Sequence, residues 1–229
     1  MIDQVKAILL DIEGTTTPIA FVHDVLFSYA REHVREFLTE NSAAEDIALL
    51  RAEHTVDVSD APPLDDRMES IAAYVEWLIK LDRKSTALKS LQGKIWRQGY
   101  QHGSLKSQVF ADVAPAFERW RDRGLRISIF SSGSVLAQQL LFAHTEVGDL
   151  TPFIDSYFDT TVGKKGEAES YRKIAEVMGF PPQEILFVSD VGAELEAASE
   201  AGMKTLLSIR SGNAPAERYP SVRSFDEIQ

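Results

Sequence analysis

Acidic and hydroxyl side chains recur at the ends of apolar runs in this sequence. LLDIEGTTTP carries Asp11 and Glu13, IFSSGS carries Ser131, Ser132 and Gly133, and FVSDVGAE carries Ser189, Asp190 and, four residues on, Glu194. Two carboxylates two residues apart at a strand's end can face the same way, and such an oxygen-rich pair suits a hard cation like magnesium. A lone D-x-E could equally solvate or cap a loop, and Asp190 could be only a helix cap. The hydroxyls and glycine of IFSSGS stand just before a helix starting near Val135, as in a cradle for an anion. Read alone, Ser134 is as good an N-cap and Ser131 as good a core hydroxyl. Lys164 and Lys165, in FDTTVGKKGEAESY, would ordinarily be a solvated surface pair. A lysine among the strand ends, however, would let a phosphate and two or three carboxylates share one pocket. The chemistry this set could perform is metal-assisted phosphate chemistry.

The elements that must position these groups follow from hydrophobic patterning. Residues 5–10, 125–130, 185–188 and 205–209 are apolar runs without polar alternation, as expected of parallel strands covered on both faces. Helical patterns lie between them at 115–123, 135–144, 167–178 and 191–200, three of them followed by Gly124, Gly179 and Gly202. Strand and helix in repetition predict an α/β fold with a doubly wound, mainly parallel sheet. In such sheets ligands bind beyond the carboxyl ends of the strands, where three of the four runs end in reactive side chains. Residues 20–103 break the rhythm: 21–40, 67–81 and 86–99 read as helices with no strand among them, which predicts a helical insert. Its VDVSDAPPLDD stretch, 56–66, reads as a loop.

Composition narrows the partners. The 229 residues are 44% apolar and include 9 prolines, enough for one large domain or one domain with a smaller insert. Lys and Arg number 24 against 35 Asp and Glu, a net charge of -11 that disfavours nucleic acid and anionic membranes. An anionic small substrate would need a local positive pocket. There is no cysteine, so thiolate nucleophiles, thiolate metal sites and disulfides are out, and a reducing cytoplasm is the expected location. The segment MIDQVKAILLDIEG is unlike a secretion signal, and no run reaches the ~18 apolar residues of a membrane span.

In order, DIEGTTTP, IFSSGS, GKKGE and FVSDVGAE resemble the four successive motifs of the haloacid dehalogenase (HAD) superfamily, phosphatases with an aspartate nucleophile. Glu13 stands where that superfamily normally has a second Asp. In this DIEGTTTPI resembles one family, the enolase-phosphatases or acireductone synthases. LDRKSTALKSLQGKIWRQGY, SSGSVLAQQLLFAHTEVGDL and SYFDTTVGKKGEAESYRKIA resemble it too, so the likeness spans nearly the whole chain. It implies a HAD-like, Rossmann-type core from residues 1–19 and 104–229, with residues 20–103 as a helical cap inserted after the first strand.

The implied activity is the enolisation of 2,3-diketo-5-methylthiopentyl-1-phosphate, followed by hydrolysis to 1,2-dihydroxy-3-keto-5-methylthiopentene, in methionine salvage. Asp11 would attack phosphorus to form an aspartyl-phosphate. Glu13, shifted toward its protonated form by neighbouring negative charge, would protonate the leaving oxygen and later activate water. One magnesium ion per chain would be held by Asp11, Glu13 and Asp190, while Ser131, Ser132 and Lys165, rather than Lys164, would hold the phosphate oxygens. Glu194 would orient the site from behind. The enolisation base stays open between Glu13, first in line, and His23, Lys94 and Arg97 of the insert. Trp77 and Trp96 could line the methylthio end of the pocket or belong to the insert's core. The expected partner is the phosphorylated diketone alone, with no nucleic acid or membrane, and the expected state a cytoplasmic monomer. Two other functions remain open: a generic small-phosphoester phosphatase with Glu13 incidental, and a phosphate-sensing module without turnover.

Overall fold

Apolar runs with no polar alternation become strands only where both faces can be covered, and here they are. The computed structural model describes residues 4–40, 43–55, 60–83, 85–210 and 218–229. The chain divides into two compact units, one of Met1–Ile19 with Lys106–Gln229, the other Ala20–Leu105. In the first unit β1 (Ala7–Leu10), β2 (Arg126–Phe130), β3 (Ser156–Phe158), β4 (Ile185–Ser189), β5 (Lys204–Ser208) and β6 (Ser221–Val222) form one sheet in the order β3-β2-β1-β4-β5-β6. Every pairing is parallel. All four residues of β1 are fully buried, which is why its sequence shows no alternation.

The strand order reverses at β1. The chain runs outward to β2 and β3, then returns to β4 on β1's other side, and such a reversal opens a crevice at the carboxyl ends. Register sets what meets there. Leu10 is level with Ile129 on one side and Val188 on the other, so Asp11, Ser131, Ser189 and Asp190 all emerge at one end of the sheet.

The second unit is built of helices: α1 (Ser28–Glu40), α2 (Ala44–His54), α3 (Met68–Lys80) and α4 (Thr86–Gln101), with no strand among its described residues. Ile71, Tyr74, Val75 and Leu78 of α3 recur at helical spacing and are buried. Two features depart from the sequence reading. The first turns of the 21–40 pattern form a π-helix, Phe21–Phe27, before α1 begins. Helix α2 went unread because only Asp46 and Leu50 of it are buried, leaving little apolar periodicity. Of the loop expected at 56–66, residues 56–59 lie outside the described residues and 60–66 are turn and irregular backbone.

In the first unit α5 (Val113–Asp122), α6 (Val135–Ala143), α7 (Ala168–Met178) and α8 (Gly192–Glu200) follow the expected positions within two residues. Tyr171 and Ile174 of α7 and Leu195 of α8 pack with Leu9, Phe130 and Phe187 in a buried cluster. Strands β3 and β6, of three and two residues, were missed. β3 carries no apolar run. It is pinned instead by Asp155, whose N–H donates to Ile127 O at 2.7 Å while its carboxylate accepts the Ile127 N–H at 3.0 Å.

Candidate active site

At the end of β1 the chain turns back on itself within seven residues. The N–H groups of Thr15, Thr16 and Thr17 all point at Ile12 O, at 3.2, 2.9 and 2.9 Å, and the Gly14 N–H donates to Thr17 O at 2.9 Å. Gly14 has φ +68°, and a Cβ there would fall 2.6 Å from Asp190 Cγ, so only glycine lets the loop pass the Asp190 carboxylate. The Asp11 side chain is buried; its Oδ1 accepts the Ile12 N–H at 2.8 Å.

Lys165 meets this carboxylate. Its Nζ lies 2.5 Å from Asp11 Oδ1 and 2.7 Å from Glu194 Oε2, with side chains 12%, 6% and 13% exposed. Burial alone would lower the Lys165 ammonium, but the charges of Asp11 and Glu194 outweigh it and hold the group above its ordinary range. Burial, with Asp11 adding to it, pushes Glu194 up to about 7 while Lys165 pulls the other way. Ser189 Oγ stands 2.9 Å from Glu194 Oε2 and 3.3 Å from Asp11 Oδ2, where one hydroxyl proton serves either acid, and it accepts the Val191 N–H at 3.1 Å. The Lys165 main chain is fixed by Tyr171, whose hydroxyl donates to Lys165 O at 2.7 Å. Lys164 turns outward, 83% exposed beside Glu167.

The IFSSGS segment fulfils both of its humbler readings. Ser134 Oγ caps α6 by accepting the Ala137 N–H at 3.3 Å, and Ser131 Oγ accepts the Gly133 N–H at 3.2 Å. Ser131 is buried and Ser132 half-buried at the carboxyl end of β2. In the helical unit Lys94 is held by Asp46 at 2.5 Å, His23 packs edge-on against Phe27 at 5.2 Å, and Arg97 is exposed. Trp96 stacks on Phe27 and donates from Nε1 to Leu26 O at 2.8 Å; Trp77 stacks on Tyr74. The structure thus gathers Asp11, Lys165, Ser189 and Glu194 in one hydrogen-bonded network, with Asp190 against the Gly14 turn.

Ser189 and Arg210 were not given roles from the sequence. Ser189 was singled out at the end of its run without a role, and Arg210 stands two residues beyond β5, where no local pattern marks it.

Among the described residues no three or more His, Cys, Asp or Glu are gathered ready to hold a metal. The donor set nevertheless fits a hard cation. Asp11, Glu13 and Asp190 offer only oxygens, and burial, with the charge of Asp11 and then of Glu13 beside it, pushes Asp190 up to about 6 despite Lys165. A carboxylate raised by burial and by anionic neighbours is short of positive charge, which a divalent cation would supply.

A family model of haloacid dehalogenase-like hydrolases matches residues 5–202. The enolase-phosphatase E1 of Synechococcus elongatus is 53% identical, with 98% of each chain covered. A probable bifunctional methylthioribulose-1-phosphate dehydratase/enolase-phosphatase E1 of Arabidopsis thaliana is 48% identical, covering 96% of this chain and 47% of its own. Among solved structures, the UTR4 protein of Saccharomyces cerevisiae matches with a TM-score of 0.81 at 36% identity, over 97% of this chain and 99% of that one.

Proposed function

Since the chain belongs to the haloacid dehalogenase-like hydrolases and, within them, to the enolase-phosphatase family, we propose that it enolises 2,3-diketo-5-methylthiopentyl-1-phosphate and dephosphorylates it to 1,2-dihydroxy-3-keto-5-methylthiopentene in methionine salvage. The observation that carries the chemistry is the buried Lys165 ammonium bridging Asp11 and Glu194 at the strand ends. In a chain of net charge -11, a buried cation beside Asp11 supports the reading of Asp11 as the nucleophile that a phosphate approaches.

Asp11 attacks phosphorus, and the bond from phosphorus to the substrate's C1 oxygen breaks as Glu13 gives that oxygen a proton. Glu13 then takes a proton from water, whose oxygen attacks the aspartyl-phosphate, freeing Asp11 and inorganic phosphate. Lys165, Ser131 and Ser132 hold the phosphate oxygens through both steps, and Glu194 with Ser189 keeps Lys165 and Asp11 in place. Enolisation moves a carbon-bound proton to a carbonyl oxygen; Glu13 is its first candidate base, and the engagement of Lys94 with Asp46 argues against that lysine. HAD-like phosphatases generally use Mg2+, and one ion per chain, bound by Asp11, Glu13 and Asp190, would offset charge on the phosphate and polarise the enolising oxygens. We further read the enzyme as a cytoplasmic monomer whose residues 20–103 select the substrate.

The test is direct. The purified protein with magnesium should release phosphate from the diketone phosphate, with the absorbance change of enolisation, far faster than from phosphoglycolate or p-nitrophenyl phosphate. Equal rates on all three would leave a generic phosphatase, and no release from any would leave a binding module.

A further inference from the structure

The turn that carries Glu13 is gripped from behind by its carbonyls. Ser208 Oγ donates to Gly14 O at 3.3 Å, Arg210 donates to Thr15 O from Nε at 3.2 Å and from Nη2 at 3.0 Å, and the Phe110 N–H donates to Thr16 O at 3.0 Å. The Arg210 side chain is only 9% exposed. Its guanidinium carbon lies 4.3 Å from the Phe110 ring centroid and 4.8 Å from that of Phe225. Nη1 donates to Asp112 Oδ2 at 2.9 Å and to Arg223 O at 3.1 Å. Asp112 is itself fixed, its Oδ2 accepting the Phe225 N–H at 2.5 Å and the Ser224 hydroxyl at 3.2 Å.

A buried guanidinium is costly unless its donors are met, and here four hydrogen bonds and two ring faces meet them. Anchoring the C-terminal segment would need only Asp112 and Arg223 O. The fork instead commits two N–H groups to a single carbonyl of the catalytic turn. The other side of that turn is fixed by Ile12 O, which receives three N–H groups, and Glu13 lies between the two clamps, bridged to Thr17.

We infer that Arg210 is a positioning residue for Glu13: by holding Thr15 O it sets the path of the main chain from Glu13 to Thr17, and with it the direction in which the Glu13 carboxyl leaves the backbone. The inference rests on the reading of Glu13 as proton carrier. Lysine in its place keeps the charge but not the fork or the ring stacking, so the turn relaxes while the site's net charge is unchanged. A misplaced acid slows departure of a poor leaving group far more than of a good one, because only the poor one needs the proton.

The experiment compares kcat/KM for phosphoglycolate, an alkyl ester that needs no enolisation and whose leaving group is an alkoxide, and p-nitrophenyl phosphate, whose leaving group departs unassisted. It uses wild type, Glu13→Ala and Arg210→Lys, with melting temperatures alongside. Arg210→Lys should lose about 10–100-fold on the alkyl ester and no more than about threefold on the aryl ester, following the pattern of Glu13→Ala. If Glu13→Ala shows that pattern and Arg210→Lys loses equally on both esters, Arg210 only supports the fold and the inference is overturned. If Glu13→Ala itself loses equally on both, the proton-carrier reading fails, and the inference with it. Should Arg210→Lys not fold, Asp112→Asn, which removes the charge that aims the Arg210 fork at Thr15 O, carries the same comparison, and an equal loss on both esters again overturns the inference.

Discussion

A carboxylate buried against an ammonium is chemically quiet until a phosphate arrives to share the cation. Asp11 and Lys165 are such a pair, and Asp11→Asn should keep the fold and release no phosphate, because the amide cannot form an acyl phosphate; phosphate release measured by malachite green decides it. Lys165→Ala should cut turnover by orders of magnitude and destabilise the protein by about 3–5 kcal/mol, since it leaves Asp11 and Glu194 buried without their cation. Lys164→Ala should match wild type in both kinetics and thermal melting, and the reverse ranking would refute the assignment. Asp11 and Asp190 were candidates from the sequence because apolar patterning locates where a strand stops, whereas Lys165 was chosen over Lys164 by the family resemblance alone, since β3 before it carries no apolar run. Arg210 was not legible in the same way: what it does depends on a contact with Thr15, 195 residues away, that no local pattern encodes.

Among the elements, the turn after β1 has the least freedom to change. Gly14→Ala would add backbone strain at φ +68° and push a methyl group into Asp190. Magnesium affinity, measured by calorimetry, should fall at least about tenfold with melting temperature changed by only a few degrees. Strand β3 offers a pH test. Asp155 feels an upward push from burial, but the Ile127 N–H and the guanidinium groups of Arg126 and Arg121 outweigh it and hold the carboxyl below its ordinary value. Its stabilising effect is therefore present above the unfolded value of about 3.9 and is lost as pH falls through the lower folded one. Asp155→Asn should lower the melting temperature at pH 7, and the gap from wild type should close below about pH 4; a gap independent of pH would contradict it. The buried strands β1, β2, β4 and β5 were readable because each is an apolar run, whereas β3 is short and held by one polar residue rather than by burial.

At the scale of the whole molecule, the two units have different needs. The helical unit's core forms where helices pack on the next but one, α1 on α3 and α2 on α4, and its α1, α3 and α4 were legible from apolar periodicity. Replacing residues 20–103 by a short linker should spare some hydrolysis of p-nitrophenyl phosphate and abolish turnover of the diketone phosphate. Native-rate processing of the diketone by the shortened chain would show that the insert does not select the substrate.

The sheet, by contrast, is built from distant pieces, and this bears on its birth at the ribosome. Leu10 must find Val188, and the hydroxyl of Ser189 meets Asp11 across 178 residues of chain. At about 5–20 residues per second, β1 waits roughly 10–40 s after its own synthesis before β4 exists. During that interval its wholly apolar AILL has neither flanking partner until β2 arrives, while α1 to α4 can assemble from contacts already made. The central strand of the sheet is therefore the segment that nascent-chain chaperones have most reason to shield.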